Sequence, residues 1–360
     1  MKHSEIRYLR LHNLLISNRR FKTISETVHW LGAVQAQDYT GAKWSLALRT
    51  AGSSEAKIEK AISEKTILRT WPMRGTLHFV AAQDAHWMLS LLAPRIIAGA
   101  AGRHRQLELN EKVFDQSFEL LTSALQGGKQ LTRAEIYALL ENAGIATSGQ
   151  RGIHIIGYLA MKKVLCHGTH SEKQPTYALL DEWVENPRKL DETESLAEIS
   201  LCYFTSHGPA SLNDFVWWTG LKISDARKGL NEVTSKLDSF DLAGTTYWYS
   251  PMDSDLSPGN NTFLLPGFDE YMLGYTDRSI ILDKSHAEKI VPGNNGMFMP
   301  TIVIDGKVEG TWKKAVKKDK LQIDMYPFGK LTQIKKRRVE KQAELFAQYS
   351  GKAVSQVNWL

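Results

Sequence analysis

A repeated order of elements, three helices followed by two strands, is the feature of this chain that most constrains its fold. Within residues 110–180, an apolar run at helical spacing ends at 127–128. A capping-box start at Thr132 then opens a second helix, and a third helix precedes two strand-like runs. The same order returns in residues 195–249, where Ser211 opens the second helix 79 positions after Thr132. This order is typical of a winged helix, a helix-turn-helix domain that ends in a hairpin.

A weaker copy begins the chain. A helix is predicted over 5–18, a second start at Thr23, a helical segment near 44–48 and strands within 68–80. Beyond residue 261 the pattern changes, and strands are predicted over 262–265, 272–275, 279–282, 301–304, 308–312 and 321–328, followed by a helix over 331–349 that stops at Gly351. The predicted fold class is α+β, with three tandem winged-helix units at residues 1–105, 106–190 and 191–260, and a β-rich, basic region at 261–360.

The composition excludes several classes of protein. The 360 residues are 42% hydrophobic and 23% charged, as in a globular chain of several domains. No apolar run approaches the roughly 20 residues that cross a bilayer, so we expect a cytoplasmic protein without membrane contact. Two cysteines, Cys166 and Cys202, cannot build a disulfide framework or a four-cysteine zinc site. Walker, dinucleotide-binding, zinc-protease and serine-hydrolase motifs are missing from the sequence, and we predict no metal or cofactor.

The net charge of +6 is unevenly distributed along the sequence. Residues 306–341 contain twelve cations and four anions, a local charge of +8, which leaves the rest of the chain slightly acidic. Within this stretch the run 310–318 places Trp312 beside paired lysines, a pattern suited to phosphate contact and base stacking. A solvated surface is the alternative interpretation. We favour nucleic acid, and the predicted DNA contacts here are Lys313, Lys314, Lys317 and Lys318.

An unusual segment follows the apolar run that ends near Leu31. It contains Gln35-Ala36-Gln37, called the glutamine motif below, and Asp38 comes directly after it. Both amides could point into one cleft if the helix ends at this place. Glutamine does not titrate, so on chemistry alone the simpler interpretation is that the two amides cap a helix end or bind backbone groups. His78 is interpreted as a packed strand histidine rather than a metal ligand.

The glutamine motif occurs together with four other distinctive segments, TWPMRGTLH (70–78), LLPGFDE (264–270), GYTDR (274–278) and DGKVEGTW (305–312). With them the chain resembles, over nearly its full length, the winged-helix family of AlkZ-like and YcaQ-like bacterial DNA glycosylases. The resemblance implies three tandem winged helices that form a C-shaped cradle for damaged double-stranded DNA. The Gln-apolar-Gln form of the motif is similar to the AlkZ branch, which implies unhooking of interstrand crosslinks and removal of bulky N7-alkylated purines.

The resemblance also implies that Gln35 and Gln37 are the catalytic residues. An N7-alkylated purine is cationic, so the leaving base needs no proton. The enzyme has to stabilise an oxocarbenium-like sugar and place a water beside C1′. On this hypothesis Gln37 positions the water, and Gln35 orients Gln37 or the sugar. Asp38 is a candidate general base or electrostatic partner, with a turn cap as the favoured alternative.

Four residues near the motif in sequence, Lys43, Trp44, Arg69 and Arg74, are further candidates for phosphate contact, although pairing within strands is a competing account of the two arginines. The sequence thus predicts a monofunctional DNA glycosylase that acts on duplex DNA. The alternatives are a non-catalytic winged-helix DNA-binding or regulatory protein, and a protein-interaction scaffold. Three unlike units in one chain favour an asymmetric monomer over the symmetric dimer of a regulator.

Overall fold

The computed structural model describes residues 1–172, 174–251, 261–317 and 320–360, without the side chain of Lys317. Contacts divide the chain into two units. Unit 1 comprises residues 1–58, 197–218 and 222–360, and unit 2 comprises residues 59–196 and 219–221. The first predicted domain, 1–105, therefore falls partly in each unit. The winged-helix assignment, the C-shaped arrangement and the division into four ranges stay predictions.

Helices make up much of the described chain, and several begin at the caps that the sequence predicts. The helices are α1 (His3–Asn13), α2 (Ile24–Leu31), α3 (Tyr39–Arg49), α4 (Glu55–Ser63), α5 (Ala85–Gln106), α6 (Glu111–Leu125), α7 (Arg133–Asn142), α8 (Arg151–Met161), α9 (Leu180–Trp183), α10 (Glu192–Ser206), α11 (Leu212–Thr219), α12 (Ile223–Val233), α13 (Glu270–Leu273), α14 (Ala287–Ile290) and α15 (Gln333–Tyr349). Among the described residues, no helix has the length and apolar character needed to span a membrane.

The strands range from two to eleven residues. They are β1 (Val34–Gln35), β2 (Ile67–Met73), β3 (Thr76–Ala81), β4 (Leu131–Thr132), β5 (Leu165–Ser171), β6 (Gln174–Leu179), β7 (Ala210–Ser211), β8 (Asp238–Leu242), β9 (Thr245–Tyr249), β10 (Thr262–Leu265), β11 (Thr301–Ile304), β12 (Lys307–Lys317), β13 (Lys320–Pro327) and β14 (Ala353–Trp359).

Unit 2 contains the clearest of the predicted repeats. Helices α6, α7 and α8 are followed by β5 and β6, which confirms the order of three helices and a hairpin. The capping box forms as predicted: Thr132 Oγ1 accepts a hydrogen bond from Glu135 N at 3.3 Å, and the Glu135 carboxylate accepts from Thr132 N at 2.7 Å. Within this unit the strands lie in the antiparallel order β3-β2-β5-β6-β4.

The core of unit 2 lies between these helices and strands. Its fully buried members come at helical spacing on α6, α7 and α8, and they include Leu121, Leu125, Ile136, Leu140, Ile155, Ile156, Leu159 and Ala160. Ile153, predicted to point inward, is only partly buried, and Ile155 is fully buried instead. Phe118, also part of the predicted apolar run, is 44% exposed.

Two sheets lie within unit 1. The smaller has the strand order β7-β9-β8, and the larger has the order β10-β11-β12-β13-β14, antiparallel except for the parallel pair β13 and β14. Helix α15 packs against β10, β14 and α3. Phe346 of α15 contacts two indole rings there, that of Trp44 on α3 (centroids 5.0 Å apart) and that of Trp312 on β12 (5.2 Å). This aromatic cluster fixes α3 to the larger sheet.

Two predicted strands are wrong. Residues 270–273 form α13, which Asp269 begins by accepting a hydrogen bond from Tyr271 N at 3.0 Å. Residues 279–282 form a turn in which Ile281 N donates to Arg278 O at 3.0 Å. The aspartate cap and the local turn bonds outweigh the β propensity of these apolar runs. Helices α4 and α5 and strand β14 lie where the sequence analysis assigns no element.

Candidate active site

The glutamine motif lies in unit 1, between the end of α2 and the start of α3. Helix α2 ends at Leu31, and Gly32 follows with φ +74° and ψ −56°, a positive-φ conformation that favours glycine. A Cβ at position 32 would lie 2.9 Å from Cys202 Sγ and 3.2 Å from the Trp218 ring, so only glycine fits. Because the chain turns here, residues 34–35 run as the short strand β1, and the helix ends before the motif, as the motif hypothesis requires.

The two amides of the motif have different surroundings. Gln35 is 8% exposed, and its side-chain Oε1 has no hydrogen-bond partner among the described residues. Ala36 is fully buried, whereas Gln37 is exposed. A buried carbonyl oxygen without a donor is costly, so Gln35 Oε1 is an unsatisfied acceptor that the surrounding protein shields from solvent. The arrangement therefore offers one shielded acceptor and one accessible amide, two residues apart.

Asp38 is the N-cap of α3. Its Oδ1 accepts a hydrogen bond from Gly41 N at 3.0 Å, and its backbone is extended, as in most N-caps. A Cβ on Gly41 would lie 2.5 Å from Asp38 Oδ2, so the glycine is needed for the carboxylate to lie over the helix end. The capping role, the favoured alternative in the sequence analysis, accounts for Asp38 without a catalytic function.

Lys43 and Trp44, both on α3, are buried and do not support the expectation that they contact phosphate. Lys43 is 6% exposed, and its Nζ forms an ion pair with Glu55 Oε1 at 2.5 Å. Trp44 is 4% exposed, and its Nε1 donates to Leu264 O at 2.8 Å. The prediction rested on how close the two residues are to the motif in sequence, which carries no information about burial. Their burial on α3 does not support a role for them as DNA contacts.

The basic hairpin of β12 and β13 also belongs to unit 1. Lys313 and Lys314 are exposed and pair in register with Asp324 and Ile323. Trp312, by contrast, is 3% exposed, so it is not available to stack on a base. Of the other two predicted contacts, Lys318 lies outside the described residues, and the side chain of Lys317 is not described.

Lys314 is electrostatically coupled to the motif region. Its Nζ lies 5.0 Å from the centre of the Phe346 ring. Desolvation lowers the pKa of Lys314, and the positive charge of Lys43 adds to that shift, while the carboxylates of Asp38 and Glu55 oppose it. Because Phe346 also contacts Trp44, Lys314 of the basic hairpin lies close to helix α3, which begins directly after Asp38.

Arg69 and Arg74 lie in unit 2. Arg69 is 9% exposed on β2, where it pairs with Phe79 and His167 in register, so the competing structural account fits it. Arg74 lies at the turn between β2 and β3 with φ +53° rather than within a strand, and its Nη2 is 3.2 Å from His78 Nε2. His78 is fully buried on β3, as expected for a packed strand histidine.

Two adjacent carboxylates that the sequence analysis did not single out lie behind the motif. Glu270 is fully buried, and its Oε1 accepts a hydrogen bond from the backbone N of Gln35 at 3.1 Å. Asp269, 2% exposed, binds Arg49 on α3 through both oxygens, at 2.8 and 2.9 Å. The signal available in the sequence was the pair Asp269-Glu270 inside the otherwise apolar run 264–273, since buried acids need specific partners.

Glu270 also ends a Ser-His-Glu array, which is too buried to act as a catalytic triad. Ser206 Oγ lies 2.8 Å from His207 Nδ1, and His207 Nε2 lies 3.4 Å from Glu270 Oε2. All three side chains are fully buried, and Ser206 Oγ donates to Cys202 O at 2.7 Å, so this hydroxyl cannot meet a substrate. Within the described residues, no group of three or more His, Cys, Asp or Glu side chains could hold a metal ion.

Comparisons with known proteins agree with one another. The model of a family described as DNA glycosylase AlkZ-like matches residues 28–349. An interstrand DNA cross-link repair glycosylase from Streptomyces sahachiroi is 26% identical over 368 residues, which cover 95% of this chain and 95% of that protein. The solved structure of Streptomyces sahachiroi DNA glycosylase AlkZ matches with a TM-score of 0.84 at 24% identity and covers 100% of both chains, so the two folds are the same.

Proposed function

The chain belongs to the AlkZ-like family of DNA glycosylases, and from this premise we propose that it is a monofunctional enzyme that excises N7-alkylated purines from double-stranded DNA and unhooks interstrand crosslinks. The observation that carries the proposal is the glutamine motif itself, where the buried Gln35 Oε1 has no partner among the described residues and Gln37 is exposed beside it. The crosslink part draws on the relative described as a cross-link repair glycosylase.

The reaction requires no acid or base from these two residues, only amide oxygens that stabilise charge and orient a water. When the bond between C1′ and purine N9 breaks, its electron pair stays on the base and neutralises the positive charge of the alkylated ring. The sugar becomes oxocarbenium-like, and amide oxygens of Gln35 and Gln37 stabilise this charge and orient a water toward C1′. The water oxygen bonds to C1′, and its proton passes to solvent. No strong acid is required, so the enzyme spares normal bases, which are poor leaving groups.

Binding to DNA would come from phosphate contacts. Lys313 and Lys314 are exposed on the basic hairpin, and Lys314 contacts the Phe346 ring that packs against Trp44 of helix α3. We further propose that the segments of three helices and a hairpin are winged helices that follow the duplex backbone, and that the enzyme acts as a monomer. Phosphate contacts of this kind make affinity fall steeply with salt.

The experiment uses duplex DNA that carries either a single N7-methylguanine or a nitrogen-mustard crosslink. The protein is incubated with each duplex, abasic sites are cleaved with alkali, and an untreated aliquot shows whether the protein itself cuts the strand. We expect alkali-dependent cleavage at the lesion, and loss of about 10²-fold or more of the rate in Gln37→Ala with unchanged duplex affinity. Gln116→Ala, which makes the same change on the exposed face of α6, is the control.

Each outcome separates one interpretation from another. Strand cleavage without alkali would contradict the monofunctional assignment. Equal rates for the wild type and Gln37→Ala would refute the role of the motif. Salt-dependent duplex binding without any base release would support the non-catalytic DNA-binding alternative, and neither binding nor release would support a scaffold.

A further inference from the structure

The glutamine motif is held from both sides by the consecutive carboxylates of Asp269 and Glu270. At the first residue of the motif, Glu270 Oε1 accepts from Gln35 N at 3.1 Å. After it, Asp269 accepts from Arg49 and from Ser45 Oγ at 2.9 Å, both on helix α3. The backbone that carries the two carboxylates also contacts α3, since Leu264 O accepts from the Trp44 indole. One segment, 264–270, thus fixes both ends of a loop that is remote in sequence.

The carboxylate of Glu270 is itself held in place. Its second oxygen, Oε2, accepts from Trp218 Nε1 at 3.0 Å, and His207 Nε2 lies 3.4 Å from the same atom. The Glu270 and Trp218 side chains are both fully buried. A carboxylate in a dry site keeps its charge only where donors surround it, so these contacts leave it little freedom. Glu270 can therefore transmit a fixed position to the backbone of Gln35.

The motif needs such an anchor. Strand β1 is only two residues long, so little of its own secondary structure keeps it in place. The Gln35 side-chain oxygen has no hydrogen-bond partner among the described residues, so its direction depends on the backbone and on packing. A displacement of about 1 Å at a reacting group is enough to cost about 10²-fold in rate.

We propose that Glu270 is a positioning residue of the glycosylase, which sets the placement of Gln35 and Gln37 through its hydrogen bond to the Gln35 backbone. It touches neither DNA nor the reacting atoms. This inference rests on the proposed function, because positioning matters only if the motif is catalytic. It also predicts a property of the protein alone, which is the low mobility of the motif backbone.

The test substitution is Glu270→Gln, which keeps the shape of the side chain. A carboxamide has one acceptor oxygen, so one of the hydrogen bonds from Gln35 N and Trp218 Nε1 is lost. A second variant, Glu270→Met, removes both acceptor oxygens at similar side-chain length and so removes the bond from Gln35 N in every case. The matched control is Asp214→Asn. Asp214 is 1% exposed in the same unit and accepts from Ser211 and Thr276 at 2.8 to 3.0 Å, so it is an equally buried carboxylate that does not contact the motif.

Two measurements test whether Glu270 positions the motif. In single-turnover assays on N7-methylguanine duplex, we expect Glu270→Gln to lower the rate about 10- to 100-fold with little change in duplex affinity, and Asp214→Asn to retain the wild-type rate. In hydrogen exchange of the free protein, the peptide that contains residues 33–37 should exchange at least about tenfold faster in Glu270→Gln than in wild type or in Asp214→Asn.

The inference and the proposed function fail in distinguishable ways. If the wild type releases no base, the proposed function fails, and hydrogen exchange alone still shows whether Glu270 anchors the motif. If the wild type is active and Gln37→Ala is inactive, but Glu270→Gln and Glu270→Met both keep the wild-type rate, positioning by Glu270 is refuted. Unchanged exchange in residues 33–37 of both Glu270→Gln and Glu270→Met refutes it as well. Equal rate losses in Glu270→Gln and Asp214→Asn would mean that general destabilisation, and not positioning, causes the effect.

Discussion

Removal of the Arg49 guanidinium gives the sharpest test of how α3 is held. The ion pair of Arg49 with Asp269 has both side chains fully buried, with Nη2 2.8 Å from Oδ1. Arg49 Nη1 also donates to Asp269 Oδ2 and to Ser45 Oγ, at 2.9 and 2.8 Å. In Arg49→Met the aliphatic stem is replaced by one of similar length, while Asp269 loses its counterion in a site that water does not reach.

The loss of unfolding free energy expected in Arg49→Met follows from the complete burial of the ion pair. Breaking a fully buried pair by removing one partner costs about 3 to 5 kcal/mol, because an uncompensated charge remains. Asp269 keeps its bonds from Ser45 Oγ and Tyr271 N, so we expect about 3 kcal/mol, the low end of that range. In the double variant Arg49→Met/Asp269→Asn both charges are gone and asparagine still caps α13. We expect it to lie within about 1 kcal/mol of the wild type.

Urea unfolding followed by far-UV circular dichroism measures these differences as shifts of the midpoint at constant slope. Asp269→Asn alone leaves the buried Arg49 charge without its partner and should also lose about 3 kcal/mol, so the double-mutant cycle should give a coupling of about 5 kcal/mol between positions 49 and 269. If Arg49→Met loses less than about 1 kcal/mol of unfolding free energy, the ion pair contributes no more than a solvent-screened pair on a protein surface. Additive effects in the double variant would show that the charges do not interact. Either result would refute the reasoning from burial.

Three further predictions concern a cap, the salt dependence and the pH dependence. Asp38→Ala should lose about 0.5 to 2 kcal/mol in urea unfolding while Asp38→Asn stays near the wild type, and a full glycosylase rate in Asp38→Asn would exclude a general base at this position. Lys313→Ala and Lys314→Ala should each reduce the slope of log affinity against log salt by about 0.9 in fluorescence anisotropy on duplex DNA, whereas Lys43→Ala should leave the slope unchanged. Hydrogen bonds from the backbone and hydroxyl of Thr132 lower the pKa of Glu135 from its ordinary value of 4.5, so the capping box stabilises the fold above that pH and is lost as the pH falls below it. The stability difference between wild type and Glu135→Gln should therefore disappear in acid, and a difference that persists there would contradict the assignment.

Local signals in the sequence predict much of the fold. The predicted helix start at Thr23 and the predicted capping box at Thr132 both form, and each is a capping box in the structure, because both partners lie within one helical turn and need nothing from the rest of the chain. The apolar run 272–275 misled the prediction for the opposite reason. Its conformation depends on Asp269, whose cap is reinforced by Arg49 from 220 positions away, and no local pattern contains that contact.

The candidate site is predictable only in part for the same physical reason. The segment 35–38 stands out in the sequence because its composition is unusual, and the structure gives Asp38 a cap that its position before a helix already indicated. The burial of Lys43 and Trp44 was missed, because a partner for each comes from outside the helix: Glu55 for the lysine and Leu264 for the tryptophan. Glu270 was missed because its link to Gln35 spans 235 positions.

That long span has a consequence for the protein while it is being synthesised. The anchor of Gln35 leaves the ribosome only after another 235 residues have been added. At typical rates of translation this takes roughly 12 to 47 s. During that interval the nascent chain already contains the residues proposed for catalysis but lacks the carboxylate that accepts from the Gln35 backbone. On the proposed function, we expect a chain truncated before residue 270 to release bases far more slowly than the whole chain.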